Sequence, residues 1–116
     1  SMFKTDRQSL LEVSALGRTL QLEPSGQKLT LGRAANSSLS LNDSRVSRVH
    51  ATIEWRGGHF ILSDASSFGT WVYFGNQNEP VVLRRTECHL VGQGQITLGC
   101  ARGSESPPVV VFSVRA

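Results

Sequence analysis

Apolar and polar side chains alternate along most of this chain, and glycine or proline repeatedly interrupts the alternation. A period of two is the signature of an extended strand, whose successive side chains point to opposite faces. The clearest run sets Ala51, Ile53 and Trp55 against Thr52, Glu54 and Arg56. Gly57-Gly58 then supplies the two positive-φ residues of a tight hairpin turn ahead of Phe60-Ile61-Leu62. Leu11, Val13 and Ala15 alternate with Glu12 and Ser14, while Leu20/Leu22, Leu29/Leu31 and Leu39/Leu41 each flank one polar residue. Thr70–Phe74, Val81–Leu83, Ile96–Leu98 and Val109–Val114 complete the set, and Pro107-Pro108 imposes an extended approach to the last strand. Residues 5–14 alone offer any case for a helix, and no capping box supports it. The expectation is an all-β fold, a two-sheet antiparallel β-sandwich of about ten to eleven strands.

A chain of 116 residues suits a single core. Residues 10–116 are expected to form one domain. Residues 1–9 read as a tag remnant and flexible N-terminus, because Ser1 precedes Met2. Residues 101–107 read as a mobile loop. No stretch approaches the roughly 18 apolar residues of a membrane span, and the N-terminus lacks the apolar run of a secretory signal. No membrane partner is expected. Cys88 and Cys100 can form one bridge at most, so reduced thiols and a cytoplasmic location are the expectation.

Neither cysteine stands in a paired metal-ligand spacing, and Cys88-His89 does not supply one. Gly92-Gln93-Gly94 precedes a strand pattern and reads as a turn, not a nucleotide loop. No metal or cofactor is expected. Trp55 and Trp71 read as core or sheet-face residues. Lysine and arginine number 12 against 9 acidic residues, a formal charge of +3, and ten of the 12 are arginine. A nucleic-acid binder would spread its affinity over many such arginines and show a steep salt dependence. The residue pattern favours one focused site instead, and no nucleic-acid partner is expected.

Loops of a sandwich gather at its two ends, where a rigid scaffold can present binding residues. Three segments carry polar residues beyond what turns require: Gly32-Arg33, Ser47-Arg48-Val49-His50, and Asp64-Ala65-Ser66-Ser67-Phe68-Gly69-Thr70. Each has an ordinary alternative. Arg33 could be a solvated surface arginine, Ser47 a turn cap, and Arg48 a partner for Asp43. Asp64 would bond backbone N–H groups of its own turn. Ser47 with His50 suggests a nucleophile and base, but no oxyanion hole or nucleophile elbow accompanies them, so no enzymatic activity is expected. Together the segments suit a phosphate monoester, which carries about −1.5 to −2 charges and three strong acceptor oxygens. Arg33 offers a fork of donors, Ser47 a hydroxyl and Arg48 a second cation.

In order and spacing, Gly32-Arg33, Ser47-Arg48-Val49-His50 and Asp64 through Gly69-Thr70 resemble the forkhead-associated (FHA) domain, a β-sandwich that binds phosphothreonine peptides. The resemblance spans roughly residues 10–116. It implies that Arg33, Ser47 and Arg48 hold the phosphate and that Ser67 and its neighbours form the opposite wall. It also implies that His50 braces the loops, while Gly32, Asp64, Gly69 and Thr70 support the site. The family usually places asparagine before Gly-Thr to bond the peptide backbone; Phe68 stands there, and Tyr73 replaces a second frequent asparagine. Weaker or redirected binding follows, with Phe68 packing on an apolar ligand residue.

The Ala51–Phe60 hairpin and the Gly92–Gly99 segment more loosely resemble FHA domains attached to bacterial nucleotidyl cyclases. The expected function is phosphorylation-dependent protein–protein interaction, the partner being a threonine-phosphorylated protein or peptide, or an intramolecular segment of a larger parent. The alternative is a degenerate FHA domain serving as a phospho-independent interaction or dimerisation module.

Overall fold

The computed structural model describes residues 9–115, so nearly all of the expected flexible N-terminus (residues 1–9) lies outside the described residues. Eleven strands follow one another: β1 (Leu10–Ala15), β2 (Arg18–Leu22), β3 (Lys28–Gly32), β4 (Leu39–Ser40), β5 (Ala51–Arg56), β6 (His59–Asp64), β7 (Thr70–Phe74), β8 (Val81–Leu83), β9 (Glu87–Leu90), β10 (Gln93–Leu98) and β11 (Val109–Arg115). They form a six-stranded sheet, ordered β2-β1-β11-β10-β7-β8, and a five-stranded sheet, ordered β4-β3-β5-β6-β9. The expected all-β sandwich is therefore the observed fold.

Register explains why the alternating residues were selected. Val13 lies opposite Phe112, and Ile96 lies between Val110 and Val72, giving the first sheet a continuous inward face. Ile53 sits between Leu29 and Leu62 in the second. Those residues form one buried cluster with Leu11, Leu31, Phe60, Leu90 and Leu98. Each fully buried side chain of this size contributes about 1.5–3 kcal/mol of apolar transfer. Gly57 and Gly58, at φ +63° and +87°, make the expected hairpin turn between β5 and β6.

Three details depart from the sequence reading. β3 and β4 run parallel, so the second sheet is mixed rather than wholly antiparallel. The two-residue β4 is held by side chains as much as by a ladder. Thr30 N donates to Ser38 Oγ at 2.9 Å, and Ser38 N returns a bond to Thr30 Oγ1 at 2.8 Å. β9 was not expected at all. Its inward residues are only Cys88 and Leu90, too short a pattern to read, and its existence depends on pairing with β6.

The third detail concerns residues 101–107. Arg45 Nη1 and Nη2 donate to the carbonyls of Glu105 and Ser106 at 2.9 and 2.8 Å, and Arg102 N donates to Tyr73 Oη at 2.9 Å. The segment expected to be mobile is thus tied to the sandwich at three points. Gly92 does turn the chain, at φ +64°, but Gly94 lies inside β10. A Cβ there would collide with the Tyr73 carbonyl and press on the Phe112 ring. We expect Gly94→Ala to lower the unfolding free energy by about 1–3 kcal/mol, measured by urea denaturation with an unchanged m-value.

Candidate functional site

The three polar segments converge on one end of the sandwich, and close backbone contact brings them there. Gly32 ends β3 against the 41–50 connection, where an added Cβ would collide with the Arg48 carbonyl oxygen. Only glycine permits that approach. Arg33 N then donates to Ser47 O at 2.9 Å, and Ala34 N donates to Arg48 O at 3.1 Å. The pairing places Arg33 beside Ser47, 14 positions later in the chain. Arg33 Nε donates to Val46 O at 3.0 Å, which aims the guanidinium and leaves both terminal nitrogens unbonded among the described residues.

His50 is fully buried and locks this geometry. Its own N–H donates to Leu31 O at 3.0 Å, and its carbonyl accepts from Ala65 N at 2.9 Å. Ser47 N donates to its Nδ1 at 3.0 Å. A backbone N–H can only donate, so Nδ1 is unprotonated and Nε2 carries the proton, donated to Gly69 O at 3.0 Å. The ring is therefore a neutral brace between the 41–50 and 65–69 connections. Burial pushes its pKa below the ordinary value of 6.5, outweighing the opposing pull of the Gly69 carbonyl and Asp64.

Ser47 Oγ accepts from Ser67 N at 3.0 Å, so the hydroxyl proton stays available to a ligand. That bond joins the two walls of the site directly. Ser67, Phe68, Arg33 and Arg48 are all exposed, and the Arg48 side chain makes no hydrogen bond or ion pair among the described residues. The alternative pairing of Arg48 with Asp43 is not found. Asp43 is taken by Arg45, whose Nε and Nη2 meet its two carboxylate oxygens at 2.9 and 2.7 Å. That paired guanidinium holds the Asp43 carboxyl at about 2.

Asp64 does more than serve its own turn. One carboxylate oxygen accepts the hydroxyls of Ser66 and Thr70, both at 2.6 Å. The other accepts Arg85 N at 2.9 Å, from the turn between β8 and β9. Burial opposes its ionisation, yet these donors outweigh burial and hold the carboxyl below its usual value. Ser66 Oγ in turn accepts Gly69 N at 2.7 Å, and Gly69 takes φ +103°, a conformation glycine tolerates. Gly69, Thr70 and Asp64 thus shape the loop that carries Ser67 and Phe68. No buried side-chain nitrogen or oxygen lacks a partner among the described residues.

Phe68 stands proud of the surface at 55% exposure, and Val49 at 63% lies on the facing connection. Tyr73 is placed elsewhere. It faces the outer side of the six-stranded sheet, 4% exposed, with the Arg102 guanidinium 4.1 Å above its ring centroid. It therefore supports the 101–107 segment and does not line this end. Trp55 packs edge-on against Phe60 at 4.8 Å, as a core residue should. Cys88 and Cys100 are both unpaired, and burial pushes the Cys88 thiol up to about 11.

Three contributions were not expected from sequence, although Ser66 lies in a segment already singled out. Arg45 anchors the 41–50 connection, Ser66 closes the 65–69 loop, and Arg84 donates to Phe68 O at 3.3 Å. An Asp-x-Arg spacing and a Ser-x-x-Gly turn were legible signals for the first two. Nothing local announces Arg84.

The FHA domain family model matches residues 29–97, more than half of the chain. The chain belongs to the FHA domain family. FHA domains are interaction modules rather than enzymes, which removes the nucleophile-and-base reading of Ser47 and His50. β1, β2 and β11 lie outside the matched residues, and structural comparison covers them. The chain is similar to FHA-1 of Rv1747 from Mycobacterium tuberculosis, at TM-score 0.71 and 19% identity, over 95% of this chain and 100% of that one. It is similar to the FhaA FHA domain solved with the intracellular domain of Rv3910, at TM-score 0.59 and 30% identity, over 92% and 99% of the two chains. An FHA domain from a structural and functional analysis of phosphothreonine-dependent FHA domain interactions matches at TM-score 0.60 and 29% identity, over 95% and 97%. Among curated proteins, none matches the chain.

The His50 geometry has a pH consequence. Its folded pKa lies below 6.5, so the unfolded chain takes up the proton first as pH falls. Its contribution to stability is full above about 6.5 and is lost as pH drops through the folded value. Thermal melts between pH 8 and pH 5 should show a melting temperature falling below about pH 6.5. The fall should vanish in His50→Gln, whose side chain does not titrate.

Proposed function

We propose that this FHA domain binds threonine-phosphorylated protein segments and so mediates phosphorylation-dependent protein–protein interaction. The observation that carries the reading is the joined pair of Arg33 and Ser47. Arg33 is aimed by Val46 O with its terminal nitrogens unbonded, and Ser47 is braced from both sides with its hydroxyl proton to give. A phosphate dianion would take both, with Arg48 adding charge from the same connection. Preorganisation makes the site more than a patch of cations, because the loops are hydrogen-bonded into place before a ligand arrives. Similarity to an FHA domain studied for phosphothreonine-dependent interactions, at 29% identity, supports the same ligand class. The threonine methyl would rest in an apolar niche beside the phosphate.

Phe68 favours a second reading, a phospho-independent interaction or dimerisation module. Its side chain has no amide with which to hold a peptide backbone. Finer parts of the proposal are a cytoplasmic location, supported by two unpaired cysteines, and a regulatory place in a larger protein. The looser resemblance of the β5–β6 hairpin and the Gly92–Gly99 segment makes a nucleotidyl cyclase the candidate parent, with its own phosphorylated segment as an intramolecular ligand.

Titration with matched threonine, phosphoserine and phosphothreonine peptide pools tests the reading. Phosphothreonine peptides should bind best, and Arg33→Ala or Ser47→Ala should each weaken them by about 1.5–3 kcal/mol, roughly one to two decades in Kd. Equal binding of all three pools would leave the phospho-independent reading in its place.

A further inference from the structure

The Phe68 loop is bonded to Ser47 of the proposed phosphate pocket through Ser67 N and to a second basic group through Phe68 O. The turn between β8 and β9 contributes Arg84 and Arg85, and it is fastened to the Phe68 loop. Asp64 N donates to Thr86 O at 2.9 Å, and Arg85 N donates to the Asp64 carboxylate at 2.9 Å. Arg84 reaches from this turn to Phe68 O at 3.3 Å, and its guanidinium carbon lies 5.5 Å from the centroid of the Trp71 ring. The guanidinium is held in place by a carbonyl and an aromatic face, and neither neutralises it.

Three other arginines of the fold are occupied differently. Arg45 is paired with Asp43, Arg56 is paired with Glu87, and Arg102 lies on Tyr73 and bonds Gln95. Arg84 forms no ion pair among the described residues, and it is exposed. The carboxylates that border these loops, Asp43 and Asp64, are both saturated with donors. Among the described residues no carboxylate is ion-paired with Arg84.

We propose that Arg84 forms a second anion subsite, so that the ligand is a phosphothreonine segment carrying another anionic group a few residues away. The inference rests on the phosphothreonine reading and extends it across Phe68. The path from Ser47 Oγ runs through Ser67 N at 3.0 Å and Phe68 O to Arg84, a span of at most about 13 Å given the reach of two residues. An extended ligand advances about 3.3 Å per residue, which places the second anion about two to four residues from the phosphothreonine. The exposed Phe68 ring lies under the intervening ligand backbone. Charge recognition by Arg84 then replaces the backbone bond that an asparagine at this position would make. The shared chemistry is an oxyanion suited to an arginine fork, from a carboxylate or from a second phosphate.

Fluorescence anisotropy with labelled peptides tests the subsite. One set carries phosphothreonine in a neutral background. Other sets add glutamate or phosphoserine at each position two to four residues before or after it, and unphosphorylated counterparts serve as controls. The quantity read is the ratio of affinities for the anionic and the neutral phosphothreonine peptide. In the wild type it should reach about tenfold at one position, the scale of one charge-assisted contact. In Arg84→Gln it should collapse to near one, and in Arg84→Lys, which keeps charge but loses the fork, it should be intermediate. The glutamate and phosphoserine arms identify the preferred source of the anion. A wild-type ratio near one at every position, or a ratio that survives in Arg84→Gln, overturns the subsite while leaving phosphothreonine binding intact. Neutral phosphothreonine peptides that bind no better than their unphosphorylated counterparts overturn the phosphothreonine reading, and the subsite with it.

Discussion

The neutral imidazole of His50 joins three chain segments that are distant in sequence, and the geometry of the site depends on it. It meets the end of β3 through its backbone, the Ser47 peptide through Nδ1 and the Gly69 carbonyl through Nε2. The two side-chain bonds together require a ring with one donor and one acceptor nitrogen. Protonation would convert the acceptor into a second donor facing the Ser47 N–H. Burial guards against that by disfavouring the charged form. The same desolvation that makes the ring a reliable brace also makes it an acid-sensitive element of the fold.

Around that brace, the site is assembled by close approach rather than by flexible reach. Gly32 lets the Ser47-Arg48 connection lie directly against β3, and the resulting backbone bonds fix the spacing of Arg33 and Ser47. Asp64 performs the equivalent task for the facing wall, gathering Ser66, Thr70 and the Arg85 amide around one carboxylate. Arg45 ties the remaining side by bridging Asp43 to the 101–107 segment. A phosphate-sized ligand would therefore meet groups whose ordering cost was met during folding.

The formal charge of +3 acquires meaning only after the arginines are sorted by partner. Arg45 and Arg56 are neutralised by carboxylates, and Arg102 serves as a cover for Tyr73. Arg33, Arg48 and Arg84 keep exposed guanidinium edges around Phe68. Three guanidinium edges are thereby left free of carboxylates on the loops that carry the proposed site. Distribution, and not the total, is what distinguishes a focused anion site from a diffuse polyanion binder.

The sequence by itself determined the strand faces, the β5–β6 turn and the three polar segments, because those follow from neighbours two to four residues apart. It also placed Arg33, Ser47 and His50 in one family pattern, and it marked Phe68 as the residue out of place. It could not reveal β9, whose two inward residues make no pattern until β6 pairs with them, nor the parallel bridge of β4. It misread the reach of Asp64 and the tethering of residues 101–107. Those outcomes depend on contacts across 21 or 60 positions, such as Arg85 to Asp64 and Arg45 to Glu105. Arg84 illustrates the same limit: in sequence it is one of ten arginines, and only the fold sets it against Trp71 and the Phe68 carbonyl. Local periodicity decides which way a side chain points, whereas the company it keeps is decided by which strands become neighbours.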